Sequence, residues 1–228
     1  MQLRPRRLVG LALATALLAT ACSSGGDVAV QRPVTTVHGT LVTGTSMDRP
    51  STALRDTEGK PFRLDERPAD EVTVLFFGYT HCPDVCPQTM ANLAGARARL
   101  PEDLRARLQV VFVTEDPRRD TPRALRRWLD GLDPDFIGLR GGNRATAAML
   151  AALGSPETDV VERPEEPIKH PSSGDGHHHE HGEYGVEHTG IVYAFAPEGR
   201  SVVYTGGTSQ AEYAEDFAAL LDPDADIR

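Results

Sequence analysis

The chain holds three cysteines in 228 residues, and two of them, Cys82 and Cys86, stand four apart. Side chains at i and i+4 share a helix face, so a helix over this stretch turns both sulfurs toward one point. With Cys82 at the helix start, the positive end of the helix dipole favours thiolate. A disulfide closing so small a loop would constrain little of the unfolded chain, so a purely structural bridge is a poor account of the pair. Redox chemistry and metal binding remain. Two soft thiolates suit Cu(I) or zinc. A structural zinc site wants four protein ligands, whereas copper with these two and one nitrogen is easier to build. His188, just ahead of an apolar run, is the candidate nitrogen. A lone histidine beside a strand is also what a hydrogen-bonded or solvated side chain looks like, and spacing alone leaves both readings open.

Other residues carry weaker signals. His177, His178, His179 and His181 form a tract internal to the chain. Such runs bind Cu(II), zinc or nickel weakly, so the tract reads either as a secondary metal site feeding the first or as a solvated loop. His81, beside Cys82, reads as a loop histidine, with a spare-ligand role as the alternative. Asp84 in the first helical turn complements the dipole, and Asp116 before Pro117 reads as a turn former. Tyr79 and Tyr184 read as packing residues.

The cysteines need a strand behind them and a helix after them. Val72–Phe77 is a nearly continuous apolar run, the mark of a buried central strand. A loop over 78–82 leads to a helix from Pro83 to Leu100, with Val85, Met90, Leu93 and Leu100 on its apolar side. Leu108–Val113 is the next buried strand. Thr121 before Pro122 signals an N-cap with proline at the first helical position, and that helix ends near Gly131. Phe136–Leu139 reads as a strand, Arg144–Leu153 as a helix, His188–Phe195 and Ser201–Tyr204 as a hairpin around 197–200, and Gln210–Leu221 as a last helix. Ahead of these, Val34–Val42 reads as an edge strand, and 56–59 as a turn leading to Phe62–Leu64. The pattern predicts an α/β fold, thioredoxin-like, with a central mixed sheet and helices on both faces. A long polar, His-rich insertion, residues 154–187, precedes the C-terminal hairpin. In a thioredoxin-like layout the loop entering the 188–195 strand lies opposite the cysteine helix, which singles out His188. The sequence shows no internal repeat.

The first 21 residues read as a signal peptide: Arg4, Arg6 and Arg7, then an apolar run from Leu8 to Ala21 too short for a comfortable membrane span. Small residues ahead of Cys22 and the polar Ser23–Gly26 after it are similar to a bacterial lipobox, so Cys22 is the expected lipidation site and 22–33 a lipid-anchored flexible linker. Residues 34–228 are then the folded domain, on the outer face of a bacterial cell membrane. Arg6-Arg7 leaves export by the Sec or the twin-arginine route open. The formal net charge is -9, which argues against nucleic acid as partner and favours a cationic one, metal ions included.

Three ordered motifs carry a family resemblance. Phe76–Pro87 (FFGYTHCPDVCP) resembles the signature of the Sco/SenC copper chaperones, Val111–Pro122 resembles that family's second motif, and Tyr184–Tyr193 resembles its third. The resemblance spans roughly residues 34–221. It implies a copper ion, Cu(I) or Cu(II), held by Cys82, Cys86 and His188. It also implies delivery to the binuclear copper centre of cytochrome c oxidase subunit II, with another copper chaperone as a further partner and a monomeric state. Asp116, in the second motif, then acquires a role near the metal. Glu187 stands where the family often has aspartate, and the insertion ahead of it is long. A thiol–disulfide oxidoreductase that keeps the oxidase's copper-ligand cysteines reduced uses the same cysteines without the histidine. A peroxidase-like enzyme needs a peroxidatic cysteine in an arginine pocket, which the sequence does not display.

Overall fold

The computed structural model describes residues 34–43, 47–156, 159–162, 184–187 and 190–228, within one unit, Arg32–Arg228. Cys22, His177, His178, His179, His181 and His188 lie outside the described residues, as do the segments expected as signal peptide and linker.

Twelve strands, five α-helices and a 3-10 turn at Pro197–Gly199 run through the described residues. The strands are β1 (Val34–Thr35), β2 (Thr40–Leu41), β3 (Leu54–Asp56), β4 (Pro61–Phe62), β5 (Val72–Gly78), β6 (Leu108–Thr114), β7 (Ile137–Arg140), β8 (Asp159–Glu162), β9 (Tyr184–Glu187), β10 (Val192–Phe195), β11 (Ser201–Tyr204) and β12 (Asp226–Ile227). The helices are α1 (Val85–Arg99), α2 (Glu102–Arg105), α3 (Pro122–Asp130), α4 (Gly142–Ala152) and α5 (Gln210–Leu221). Eight strands form one sheet in the order β2-β11-β10-β5-β6-β7-β3-β4. Its centre is parallel: β5 runs beside β6 over all seven residues, and β6 beside β7. Both flanks are antiparallel, β10 against β5 and β3 against β7.

Burial explains the arrangement. All seven β5 residues are buried, as a central parallel strand covered on both faces requires. Its alternate side chains serve two cores. Val72, Val74 and Phe76 pack with Met90 and Leu93 of α1, Leu125 and Leu129 of α3, and Phe217 and Leu220 of α5. Leu75 and Phe77 face Met149 and Leu150 of α4. Helices therefore cover both faces, and the thioredoxin-like α/β order expected from the sequence holds.

Some expectations change. Val34–Val42 is not one edge strand: β1 pairs in parallel with β12, and β2 joins the edge of the main sheet. Residues 102–105 form a short helix that the sequence reading did not predict. The insertion is structured at its base, where β8 and β9 pair antiparallel outside the main sheet. Helix α1 starts at Val85, so Cys82 lies in the loop before it. A residue preceding proline is disfavoured in the helical region, and Cys82 precedes Pro83. Asp84 is the N-cap without a side-chain capping bond, and so sits outside the first turn. Val85 is 42% exposed and off the apolar side. The buried stripe is Cys86, Met90, Leu93 and Ala96, and Val85 falls one position, about 100°, round from it.

The stretch before β2 is tied to α5. Asp216, buried, accepts the backbone N–H of His38 at 2.9 Å and of Gly39 at 3.2 Å, and the Tyr204 hydroxyl at 3.0 Å. The His38 ring lies 3.1 Å from Glu215 and 3.8 Å from Glu212. Its pKa is raised above the ordinary 6.5, chiefly by the hydrogen bond to Glu215; burial opposes it, and the charges of Asp216, Glu212 and Glu215 add to it. A raised folded-state pKa means that the stabilisation is fully present below the ordinary value and is lost as pH rises through the folded one. His38 is exposed, so the effect is a few tenths of a kcal/mol, about 1 °C. His38→Gln is expected to lower the melting temperature at pH 6 and leave it unchanged at pH 9; an equal loss at both values would contradict the charge assignment.

Candidate metal centre

The centre is built where β5 ends. Gly78 closes the strand, and a Cβ there would stand 2.6 Å from Cys86 Sγ and 3.2 Å from the Phe76 ring. The close approach of a sulfur to the backbone, rather than any unusual φ, demands glycine at this position. The chain then turns, with the Cys82 N–H donating to the Tyr79 carbonyl at 3.2 Å, and enters α1. The Cys86 N–H, at the second helical position, donates to Cys82 Sγ at 3.4 Å. Both cysteines are thiols, Cys82 8% exposed and Cys86 fully buried. The two sulfurs thus meet although only one belongs to the helix. The hydrogen bond with Cys82 raises the Cys86 pKa above its ordinary value, burial adds to it, and the nearby charge of Glu115 pushes the same way. Cys86 therefore keeps its proton at neutral pH, and a metal ion must displace it.

A buried carboxylate holds the loop. Asp120, with no exposed surface, accepts the Thr80 N–H at 3.0 Å, the Thr80 hydroxyl, and the Thr114 hydroxyl at 2.6 Å. Because Thr80 donates its proton to Asp120, its oxygen accepts from His81 Nδ1, 3.1 Å away. His81 is half exposed, with Nδ1 engaged and 3.7 Å from Asp120. Asp116 is also buried: its N–H donates to Thr114 Oγ1 at 3.0 Å and its carboxylate accepts from the Arg119 guanidinium. That guanidinium lies 5.8 Å from the centroid of the buried Tyr79 ring. Asp116 therefore acts through Arg119 and Tyr79, beside the site.

The sequence reading singled out Asp116 and missed Asp120. The available signal was topological: β5 and β6 are adjacent and parallel, so the loops leaving their C-terminal ends share one edge, where ligand sites of such sheets form. Among the described residues, no cluster of three or more His, Cys, Asp or Glu side chains is placed to hold a metal. The described donors are the two thiols, a soft pair that fits Cu(I) and leaves a position for one more ligand.

The buried bonds of Asp120 make it a positioning residue for Cys82. Asp120→Asn replaces one accepting oxygen by a donor facing Thr80 or Thr114. It is expected to cost about 1–3 kcal/mol of stability and also to weaken copper binding, measured by competition titration well below the melting temperature. A stability loss with unchanged copper affinity would restrict Asp120 to the fold.

Comparison with known proteins bears on the same region. A Stutzerimonas stutzeri relative is 33% identical over 150 residues, 66% of this chain and 65% of that protein, so the match spans just under two thirds of that relative's length. The solved structure of apo Sco1 from Thermus thermophilus is 30% identical with a TM-score of 0.62, over 84% of this chain and 99% of that one. ScoI of Bradyrhizobium japonicum, solved with copper bound, is 26% identical with a TM-score of 0.56, over 75% and 98% of the two chains. Residues 49–222, which hold β3 to α5 and both thiols, match the SCO1/SenC family model, and the chain belongs to that family.

Proposed function

We propose that this chain is an extracytoplasmic copper metallochaperone. It carries one copper ion as cargo on Cys82, Cys86 and His188 and delivers it to the binuclear copper centre of cytochrome c oxidase subunit II. The observation that carries the reading is the meeting of the two thiols, with the Cys86 N–H 3.4 Å from Cys82 Sγ, beside a strand end that only glycine can occupy. Family membership supports it, as does the copper bound in the Bradyrhizobium japonicum relative. For the third ligand the support is connectivity. A Cβ built on Gly190 would stand 3.3 Å from the side chain of Val85, the residue before Cys86. His188 is two residues from Gly190, within about 7 Å of it along the chain. The tract His177, His178, His179 and His181 serves as a weaker, secondary metal site. Cys22, lipidated, holds the domain on the outer face of the bacterial cell membrane.

The chemistry is ligand exchange. As two Cu–S bonds form, the two thiol protons leave to solvent. On delivery the acceptor's ligands replace each bond in turn, the cysteines take protons back, and the oxidation state of copper is unchanged. The asymmetry of the pair favours one second reading. Cys82 has exposed surface and Cys86 has none, the arrangement of an attacking and a resolving thiol. In that reaction Cys82 thiolate attacks a target disulfide and one target sulfur leaves and takes a proton. Cys86 then attacks the mixed disulfide, which yields a Cys82–Cys86 disulfide and the second target thiol.

His188 separates the two. The reduced chain is expected to bind one tight copper, with intense sulfur-to-copper charge-transfer absorption when loaded with Cu(II). His188→Ala is expected to weaken that binding by at least the roughly 10- to 100-fold that a lost outer partner costs, and to leave reduction of a model disulfide intact. Persistence of the absorption in the Cys82→Ser, Cys86→Ser double variant would overturn the site.

A further inference from the structure

Two histidines, His38 and His81, lie among the described residues, and the fold holds them differently. His38 sets both ring nitrogens against carboxylates, Nε2 3.1 Å from Glu215 and Nδ1 3.8 Å from Glu212. His81 is tied through Nδ1 alone, 3.1 Å from Thr80 Oγ1 and 3.7 Å from Asp120. No described residue bonds its Nε2, and the side chain is half exposed.

The bonds behind the ring fix which nitrogen carries its hydrogen. Thr114 Oγ1 accepts the Asp116 N–H and turns its own hydrogen to Asp120. Thr80 gives both its N–H and its hydroxyl hydrogen to the same carboxylate. A hydroxyl has one hydrogen to give. With it spent on Asp120, Thr80 Oγ1 meets His81 as an acceptor, so Nδ1 is the protonated nitrogen. In a neutral imidazole the other nitrogen is then unprotonated, and Nε2 keeps its lone pair on the edge turned away from Thr80. An imidazole anchored through one N–H, with a carboxylate behind it, is how proteins orient a histidine that takes a metal on the other nitrogen. The anchor is rigid, because Asp120 has no exposed surface and joins the loop to the end of β6.

Cys82 is the next residue, its Cα about 3.8 Å along the chain. It is 8% exposed and Cys86 has no exposed surface, so an arriving ion meets the imidazole before either sulfur. Imidazole and thiolate both suit copper. Among the described residues no three metal-binding side chains converge, so His81 does not complete a lasting site with the two thiols. We infer that His81 Nε2 is a transient entry and exit ligand of the copper site, held ready by Thr80 and Asp120. The inference rests on the metallochaperone reading. On loading, a Cu–Nε2 bond forms as the donor's ligand leaves. Cys82 then binds and its thiol proton goes to solvent. The Cu–Nε2 bond breaks as Cys86 binds and loses its own proton, and the oxidation state of copper does not change. Release runs the same steps backward.

Two measurements on the full chain test it. Long-range proton–nitrogen correlation spectra of the reduced, metal-free protein read the His81 tautomer. Nδ1–H is expected in the native chain and in Thr80→Ser, which keeps the hydroxyl, and is expected to be lost in Thr80→Val. Stopped-flow mixing reads the rate of Cu(I) loading from a weak thioether complex and the rate of release to a diimine chelator. His81→Gln is expected to slow both by the same factor, about tenfold or more, and to leave the equilibrium affinity unchanged. An entry ligand speeds both directions alike, whereas a lost resident ligand or a loosened fold weakens the equilibrium. Thr80→Val should slow both rates and Thr80→Ser restore them, while His38→Gln, remote from the thiols, should change neither. A native Nε2–H tautomer, unchanged rates in His81→Gln, or an affinity that falls with loading as fast as before would overturn the inference and leave the metallochaperone reading standing. A native chain that takes up no tight copper would remove both.

Discussion

The parallel pairing of Val72–Gly78 with Leu108–Thr114 is the constraint from which the site follows. Seven residues in register bring the two strand ends level, Gly78 beside Thr114. The loops that leave them must then share one edge of the sheet. Bond for bond, the Glu115 N–H reaches the Gly78 carbonyl at 2.8 Å, and Asp120, forty residues along the chain from Thr80, reaches that residue's N–H and hydroxyl. Asp120 without exposed surface would be costly if its oxygens lacked donors; with three it becomes a rigid clamp. Cys82 inherits its place from this clamp, and Cys86 from α1, which packs Met90 and Leu93 on the same sheet. A site assembled from a loop and a helix is therefore held by hydrogen bonds on one side and apolar burial on the other.

Much of this was legible in the sequence where the signal was local. Helix α5 matches its expected bounds, Gln210–Leu221, and a capping box formed by Ser209 and Glu212 sets its start. Thr121 caps α3 through the Ala124 N–H as the Thr-Pro pair implied. Short apolar runs gave β5, β6 and β7 because a buried parallel strand needs such runs on both faces. What failed was non-local or marginal. The pairing of β1 with β12 joins two residues at each end of the domain and leaves no periodic trace. Asp120 looks like any acid before a helix cap until β5 and β6 are known to be neighbours. The start of α1 was a missed local signal, since Cys82 stands before Pro83 and that position disfavours helix.

The site also shows why identical residue types take different roles. Of the buried acids near the thiols, Asp120 clamps the loop, Asp116 orders Arg119 against Tyr79, and Glu115 adds negative charge beside Cys86. The hydrogen bond with Cys82, burial and that charge all raise the Cys86 pKa, so a bound cation must displace its proton. Two sulfur donors are of the kind that suits a soft ion.

The central claim is that two thiolates and one imidazole, those of Cys82, Cys86 and His188, hold the copper. X-ray absorption at the copper edge of the full chain loaded with one equivalent of Cu(I) reads that ligand set directly. The account predicts a shell of two sulfurs and one nitrogen, with the nitrogen lost or replaced in His188→Ala while both sulfurs remain. A copper ion with a single sulfur neighbour, or a nitrogen shell unchanged in His188→Ala, would contradict it.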